Sequence, residues 1–139
     1  MNLLPRIDLL AFLVADHVYC DQGSNKYVIA GTFHQLNVSA FPSVFHKTIG
    51  VFVKLANFSG SAAVTIVFED QFTGDALMRT QSLMISSTDP ECPIEFALEV
   101  PPLPLPRPGR YVFKLLVDGA VIGSSAIDVR SLSATERGR

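Results

Sequence analysis

Apolar residues recur at every second position along this chain, and that alternation limits the possible folds more than any other feature. In residues 94–100 the apolar side chains alternate with Glu95, Ala97 and Glu99. The same period appears in residues 49–55, 62–68 and 111–117. Successive side chains of a β-strand point to opposite faces of a sheet, so each segment predicts a strand with one buried face. No window of helical length has a period of 3.6 residues, and the chain is therefore predicted to be all-β.

Turn residues separate these segments at intervals typical of a β-sandwich. Asp118-Gly119 is the strongest hairpin signal, because both central residues of a type I′ turn need positive φ. Residues 101–109 contain five prolines, which predicts an extended connection between sheets rather than a central strand. We expect a two-sheet antiparallel β-sandwich of about eight strands, as one domain over residues 1–130. A flexible polar tail is expected at 131–139.

The first hairpin allows a register to be predicted. With its turn at residues 22–25, facing residue numbers sum to about 47, which places His17 opposite Ala30. His34 then lies roughly 13 Å from His17 at a rise of about 3.3 Å per residue. That distance is too long for the two imidazoles to share a metal ion. We expect no metal site and no cofactor.

The two ends of the chain and its two cysteines indicate a reduced, cytoplasmic protein. The apolar run Leu9–Ala15 follows Asp8, lacks a cleavage signal and is much shorter than the roughly 20 residues of a membrane span. It predicts a first strand and no membrane association. Cys20 and Cys92 have no partner at metal-ligand spacing, and a disulfide is unneeded in a chain of this size.

Charge is sparse and unevenly placed. Charged residues make up 17% of the chain and the formal net charge is −2, without a basic stripe, so no nucleic-acid partner is expected. Residues 69–99 carry seven Asp or Glu and one Lys or Arg, whereas residues 100–139 carry three and six. These charges are expected to be solvated strand faces, with pairing between copies of the chain as the alternative.

No motif for catalysis is present. The chain has neither a nucleophile elbow nor a glycine-rich phosphate loop. Cys92 follows Glu91, whose negative charge disfavours a reactive thiolate. Phe52, Phe58 and Phe72 fall at off-core or loop positions, and could form a ligand patch. We expect no enzymatic activity and assign no catalytic residue.

Two groups of motifs resemble a bacterial family of small single-domain proteins of unknown function. They are Ala15-Asp16-His17-Val18, Asp21, Lys26 to Phe33 and Phe41-Pro42 near the start, and Leu103 to Pro106, Pro108 to Tyr111, Leu115 to Gly119 and Gly123 near the end. Together they cover most of residues 10–130. The resemblance implies a β-sandwich without an assigned activity. Pro108-Gly109-Arg110-Tyr111 leading into a hairpin also resembles the last strands of immunoglobulin-like binding domains.

The first strand is apolar on both faces, unlike the alternating strands. Such a strand is either covered on both sides or faces a partner. We therefore predict a protein-binding or self-associating module, with a possible homo-oligomer contact. Its expected interaction surface consists of Leu9, Leu10, Phe12, Leu13, Phe41, Phe45 and His46.

Two other functions remain open from the residues alone. One is a small-molecule or carbohydrate binder, or a hydrolase, which uses a rim of Asp16, His17 and His46. It requires those three side chains to converge. The other is a structural subunit of a larger bacterial or phage assembly.

Overall fold

A computed structural model describes residues 7–132, and all of its regular structure is β-strand. The twelve strands are β1 (Asp8–Cys20), β2 (Tyr27–Thr32), β3 (Gln35–Val38), β4 (Ser43–Phe45), β5 (Gly50–Ala56), β6 (Gly60–Asp70), β7 (Ala76–Arg79), β8 (Leu83–Ser87), β9 (Ile94–Glu99), β10 (Leu103–Leu105), β11 (Gly109–Val117) and β12 (Ala120–Ser131).

The strands form two main sheets and one small one. The first has the order β2-β1-β5-β9, and the second has the order β3-β12-β11-β6-β7, with β8 also paired to β6. Strands β4 and β10 pair separately. Every pairing is antiparallel except β3 with β12. Strands β12, β11 and β6 match the G, F and C strands of an immunoglobulin sheet, and β5 and β9 match B and E of the facing sheet.

The inward faces of both sheets meet in one hydrophobic core. Val51, Val53 and Leu55 of β5 are fully buried, as are the alternating residues of β6 and β11. Burial of a large apolar side chain contributes roughly 1.5–3 kcal/mol, so this shared core holds the sheets together. The period of two is confirmed in all four predicted segments, and the predicted all-β, immunoglobulin-like sandwich is confirmed.

The predicted hairpins are confirmed in detail. Asp118 and Gly119 have φ values of 49° and 83° and join β11 to β12, as a type I′ turn requires. His17 pairs with Ala30 in the β1–β2 hairpin, as the sum of 47 predicts. The number of strands is twelve rather than about eight.

The additional strands arise because some segments are divided into two short strands and because the three-residue strands β4 and β10 pair with each other. Thr80 lies between β7 and β8, and its Oγ1 accepts the Ile66 N–H at 2.9 Å in place of a backbone carbonyl, so that β6 pairs with two short strands rather than one. The proline-rich connection forms β10, whose Leu103 and Leu105 are fully buried. Ser131, the first residue of the predicted tail, belongs to β12, and residues 133–139 lie outside the described part.

The β1–β2 hairpin bends over the outer face of the first sheet. Gly50 faces outward on β5, and a Cβ atom there would lie 3.0 Å from both the Val18 backbone nitrogen and Val18 Cγ2. Farther along, the Tyr27 ring lies 5.4 Å from the ring of Phe52, centroid to centroid. Phe52 is therefore buried although it points away from the core.

Gly50→Ala is expected to lower the free energy of unfolding by about 1–3 kcal/mol, because the added methyl group displaces the backbone of Val18. The matched control is Gly23→Ala in the turn of the same hairpin, where the nearest atom to a Cβ is 3.6 Å away. Urea denaturation of both variants measures the difference. Equal stability of the two variants would show that the hairpin does not depend on this close approach.

Candidate functional site

The first strand places apolar side chains on both of its faces because it contains a bulge. Leu9 pairs with Leu55 and Ala11 pairs with Lys54, so Leu10 is the extra residue. Leu9 and Phe12 pack partly buried against the core. Leu10 and Leu13 lie toward solvent, with 53% and 40% of their surface exposed. Leu9 and Phe12 therefore contribute to the core, whereas Leu10 and Leu13 are available for contact with a partner.

One edge of β1 has no strand beside it over the segment Asp8–Val14. Strand β5 pairs with the opposite edge, and β2 pairs only from Ala15 onward. Within residues 7–132 no other strand pairs with this segment. Edge strands expose unpaired N–H and C=O groups, and natural proteins usually protect them with charged residues. Residues 9–14 contain no charge.

The neighbouring edge of β12 is also unpaired and uncharged over residues 120–127. Residues 120–127 have β11 on one side, and β3 pairs with β12 only from Asp128 onward. Gly123 lies against the Leu9 side chain, so the two open edges are adjacent. In contrast, the edge strand β9 carries Glu95 and Glu99. The two uncharged open edges thus form one side of the sandwich.

The remaining residues of the predicted surface lie elsewhere. Phe41 and Phe45 are partly buried against the core, and His46 is exposed. Strand β4 pairs with β10, which packs beside β7 at the end of the second sheet away from β12. The structure therefore places Phe45 in a separate two-stranded sheet, with His46 directly after it, and neither residue pairs with the open segment of β1.

The rim of Asp16, His17 and His46 is not assembled. Asp16 places its carboxylate over Gly31, whereas His17 lines a cleft of about 270 Å³ with Thr48 and Glu99. Neighbouring residues of a strand point to opposite faces, which separates Asp16 from His17. His46 does not line that cleft.

The described residues contain no group of three metal-ligating side chains. Cys20 and Cys92 are both free and exposed. The possible ligand patch of phenylalanines is not formed, because Phe52 and Phe58 are buried and only Phe72 is exposed. Phe58 belongs to the core, although the sequence pattern placed it off the core.

A polar cluster that sequence reasoning missed lies where β6 ends and β11 begins. Asp70 is only 3% exposed and forms an ion pair with Arg107 at 2.7 Å. The Tyr111 hydroxyl donates to the Arg107 carbonyl oxygen at 2.6 Å and accepts the Arg107 N–H at 3.4 Å. This is a tyrosine corner, a feature of immunoglobulin-like sandwiches. The motif Pro108-Gly109-Arg110-Tyr111 indicates the tyrosine corner in the sequence. The ion pair is not visible there, because Asp70 and Arg107 meet only in the folded chain.

Comparison with protein families gives one match. The model of a family of unknown function, DUF6941, matches residues 10–130. The chain belongs to this family. The predicted resemblance to such a family is confirmed, and the family carries no assigned activity. No curated protein matches the chain.

The solved structures that match this chain include two proteins from Pseudomonas species. An alkylpurine DNA glycosylase, AlkC, from Pseudomonas fluorescens, solved with DNA containing an abasic site analog, matches with a TM-score of 0.50 and 13% identity. The match covers 91% of this chain and 31% of the glycosylase, so the chain spans about a third of that protein. An immunoglobulin-like protein from Pseudomonas aeruginosa matches with a TM-score of 0.43 and 10% identity, over 93% of this chain and 100% of the other. At these identities the likeness concerns fold alone.

Residues 7–132 include no helix with the length and apolar character of a membrane span.

Tyr111→Phe is expected to lower the free energy of unfolding by about 1–2 kcal/mol at neutral pH, because the Arg107 carbonyl loses its partner. Burial raises the pKa of the Tyr111 phenol above 10.0, with a smaller contribution from the Asp70 carboxylate; the hydrogen bond to Arg107 acts in the opposite direction. The folded protein is therefore more stable when the Tyr111 phenol is protonated than when it is ionised. Its stabilising effect is complete below pH 10 and is lost as the pH rises through the raised pKa.

Urea denaturation between neutral and alkaline pH measures this effect. The stability difference between the wild type and Tyr111→Phe should shrink at alkaline pH, whereas the exposed control Tyr19→Phe should show no comparable difference. A gap that stays constant with pH would contradict the assigned role of the buried phenol.

Proposed function

We propose that the protein is a non-catalytic β-sandwich module that self-associates through β1. The observation that supports this proposal is the open edge at Asp8–Val14, uncharged from Leu9 onward, with Leu10 and Leu13 exposed. An exposed apolar edge strand promotes aggregation unless another chain covers it. A specific partner that pairs with β1 would prevent this aggregation, and the edge would then act as a binding surface.

A second copy suits this edge because the same segment is free on both chains. In an antiparallel pairing about a two-fold axis, Asp8 lies opposite Val14 of the second copy, and Ala11 lies opposite its own equivalent. No two like charges then face each other across the new ladder. Leu10 and Leu13 of both chains lose exposed apolar area, which stabilises the contact by roughly 25 cal/mol per Å² removed from water.

Protein recognition agrees with the charge of the chain better than nucleic-acid binding does. The net charge is −2, and counterion release from phosphates requires a concentration of basic residues.

We further propose that the module acts in the cytoplasm. A role as a subunit of a larger assembly is compatible with self-association and would appear as masses above that of a dimer.

The test is the solution mass of the full chain by sedimentation equilibrium at micromolar concentration. We expect twice 15.1 kDa for the wild type. Leu10→Lys combined with Leu13→Lys should give a monomer, because two ammonium groups would be buried in the interface. The matched control is Met84→Lys on β8 of the other sheet, where 66% of the side chain is exposed, and it should remain dimeric.

Circular dichroism of all three proteins checks that the fold is retained. A wild-type mass of one chain overturns self-association. Dissociation by Met84→Lys to the same extent as by the β1 variant overturns the assignment to β1.

A further inference from the structure

Phe72 is a highly exposed aromatic side chain. It lies in the turn between β6 and β7 with 89% of its surface exposed, more than Met84 at 66% or Val121 at 55%. Scattered exposed apolar residues are ordinary on protein surfaces. Phe72 differs from those residues because its backbone is hydrogen-bonded to Asp70 and its ring contacts the Arg107 guanidinium.

The turn that carries Phe72 is internally bonded. The carboxylate of buried Asp70 accepts the Phe72 N–H at 2.9 Å and the Thr73 N–H at 3.4 Å. The Gly74 N–H donates to the Asp70 carbonyl oxygen at 2.7 Å, and the Gln71 N–H donates to the Arg110 carbonyl oxygen at 3.0 Å. The backbone below the ring is therefore fixed to both β6 and β11.

Arg107 holds the ring from one side. Its guanidinium carbon lies 5.2 Å from the centroid of Phe72, which is cation–π distance. The same guanidinium forms the ion pair with Asp70, and the tyrosine corner secures the Arg107 backbone. A side chain already held in place loses little conformational entropy on binding, so Phe72 is suited to be an anchor residue.

A concave surface of about 490 Å³ lies beside this ring. Its lining includes Gln71, Pro108, Gly109 and Arg110. No atom lies within 4 Å of the position that a Cβ atom would take on Gly109, so a partner backbone has room to approach. The space accommodates a short segment of another chain.

The charge of this surface is positive. Asp70 is neutralised by Arg107, whereas Arg110 forms no ion pair with any carboxylate in the described residues. Arg110 and Arg130 also flank the adjoining depression at Gly109. Asp128 lies opposite Arg110 in the β11–β12 ladder and within 3.9 Å of Arg130. One carboxylate therefore faces two guanidinium groups, which leaves one positive charge unbalanced beside Phe72.

We propose that Phe72, Arg107 and Arg110 form a docking site for an acidic segment of a partner protein. An apolar side chain of the segment packs on the free face of Phe72, and a carboxylate of the segment pairs with Arg110, whose fork of donors fits carboxylates. A nucleic acid would require several free basic residues to follow its phosphates, and only one positive charge is unbalanced here. The site does not involve β1 and goes beyond self-association.

The test is selection of a phage-displayed random peptide library on the full-length protein, followed by fluorescence anisotropy with the selected peptides. We expect sequences that combine Asp or Glu with an aromatic or aliphatic residue. Phe72→Ala and Arg110→Glu should each weaken their binding by about tenfold or more, as loss of a hot-spot contact does. Binding should also weaken as salt is added.

Two controls define the site. Arg79→Glu changes the same charge at an exposed position on β7 and should leave peptide affinity unchanged. The double variant at Leu10 and Leu13 should also bind normally, which keeps this result separate from the test of self-association.

Three outcomes overturn the proposal. They are selected peptides without acidic residues, peptide affinity that is unchanged in Phe72→Ala, and binding of a single-stranded DNA oligonucleotide that depends on Phe72. The last would assign the site to nucleic acid instead.

Discussion

The packing of Tyr111 on Phe68 connects the core of this protein to its surface. The two rings stack at 5.2 Å between centroids with an interplanar angle of 5°, and the Phe113 ring is tilted against Phe68 at 4.9 Å between centroids. The ring of Tyr111 belongs to the core, while its hydroxyl binds the connection that leads into β11. One residue therefore holds β6 against β11 and also positions Arg107. Without that packing, the ion pair to Asp70 would have no fixed donor.

The two proposed surfaces use opposite physical strategies. The β1 surface is a strand edge with little charge, and a partner there would complete a sheet and cover Leu10 and Leu13. The surface around Phe72 is a small, rigid anchor with one unbalanced guanidinium. They involve different sheets, because β1 belongs to the first sheet whereas Phe72 and Arg110 belong to the β6–β7 turn and β11 of the second. A dimer of this kind would present two copies of the anchor and gain affinity for partners with repeated acidic segments.

Much of the architecture was predictable because it depends on local rules. The alternation in residues 94–100 gives the faces of β9, and Asp118-Gly119 gives the β11–β12 hairpin. The candidate sites were only partly predictable. The sequence indicates the apolar first strand, but it also groups Phe41, Phe45 and His46 with that strand, whereas the structure pairs β4 with β10 in a separate small sheet. Strand pairings between distant segments are not encoded in either segment alone.

The sequence by itself determined that the chain is all-β, where its hairpins turn and which register β1 and β2 adopt. Side-chain alternation and turn conformation involve only neighbouring residues, so they can be read without the fold. Tertiary structure decided which outward faces are covered and which edges stay open. Phe52 is buried by Tyr27, and Asp70 meets Arg107, only because separate strands come together. Such contacts depend on how the sheets twist and pack, which no single segment specifies.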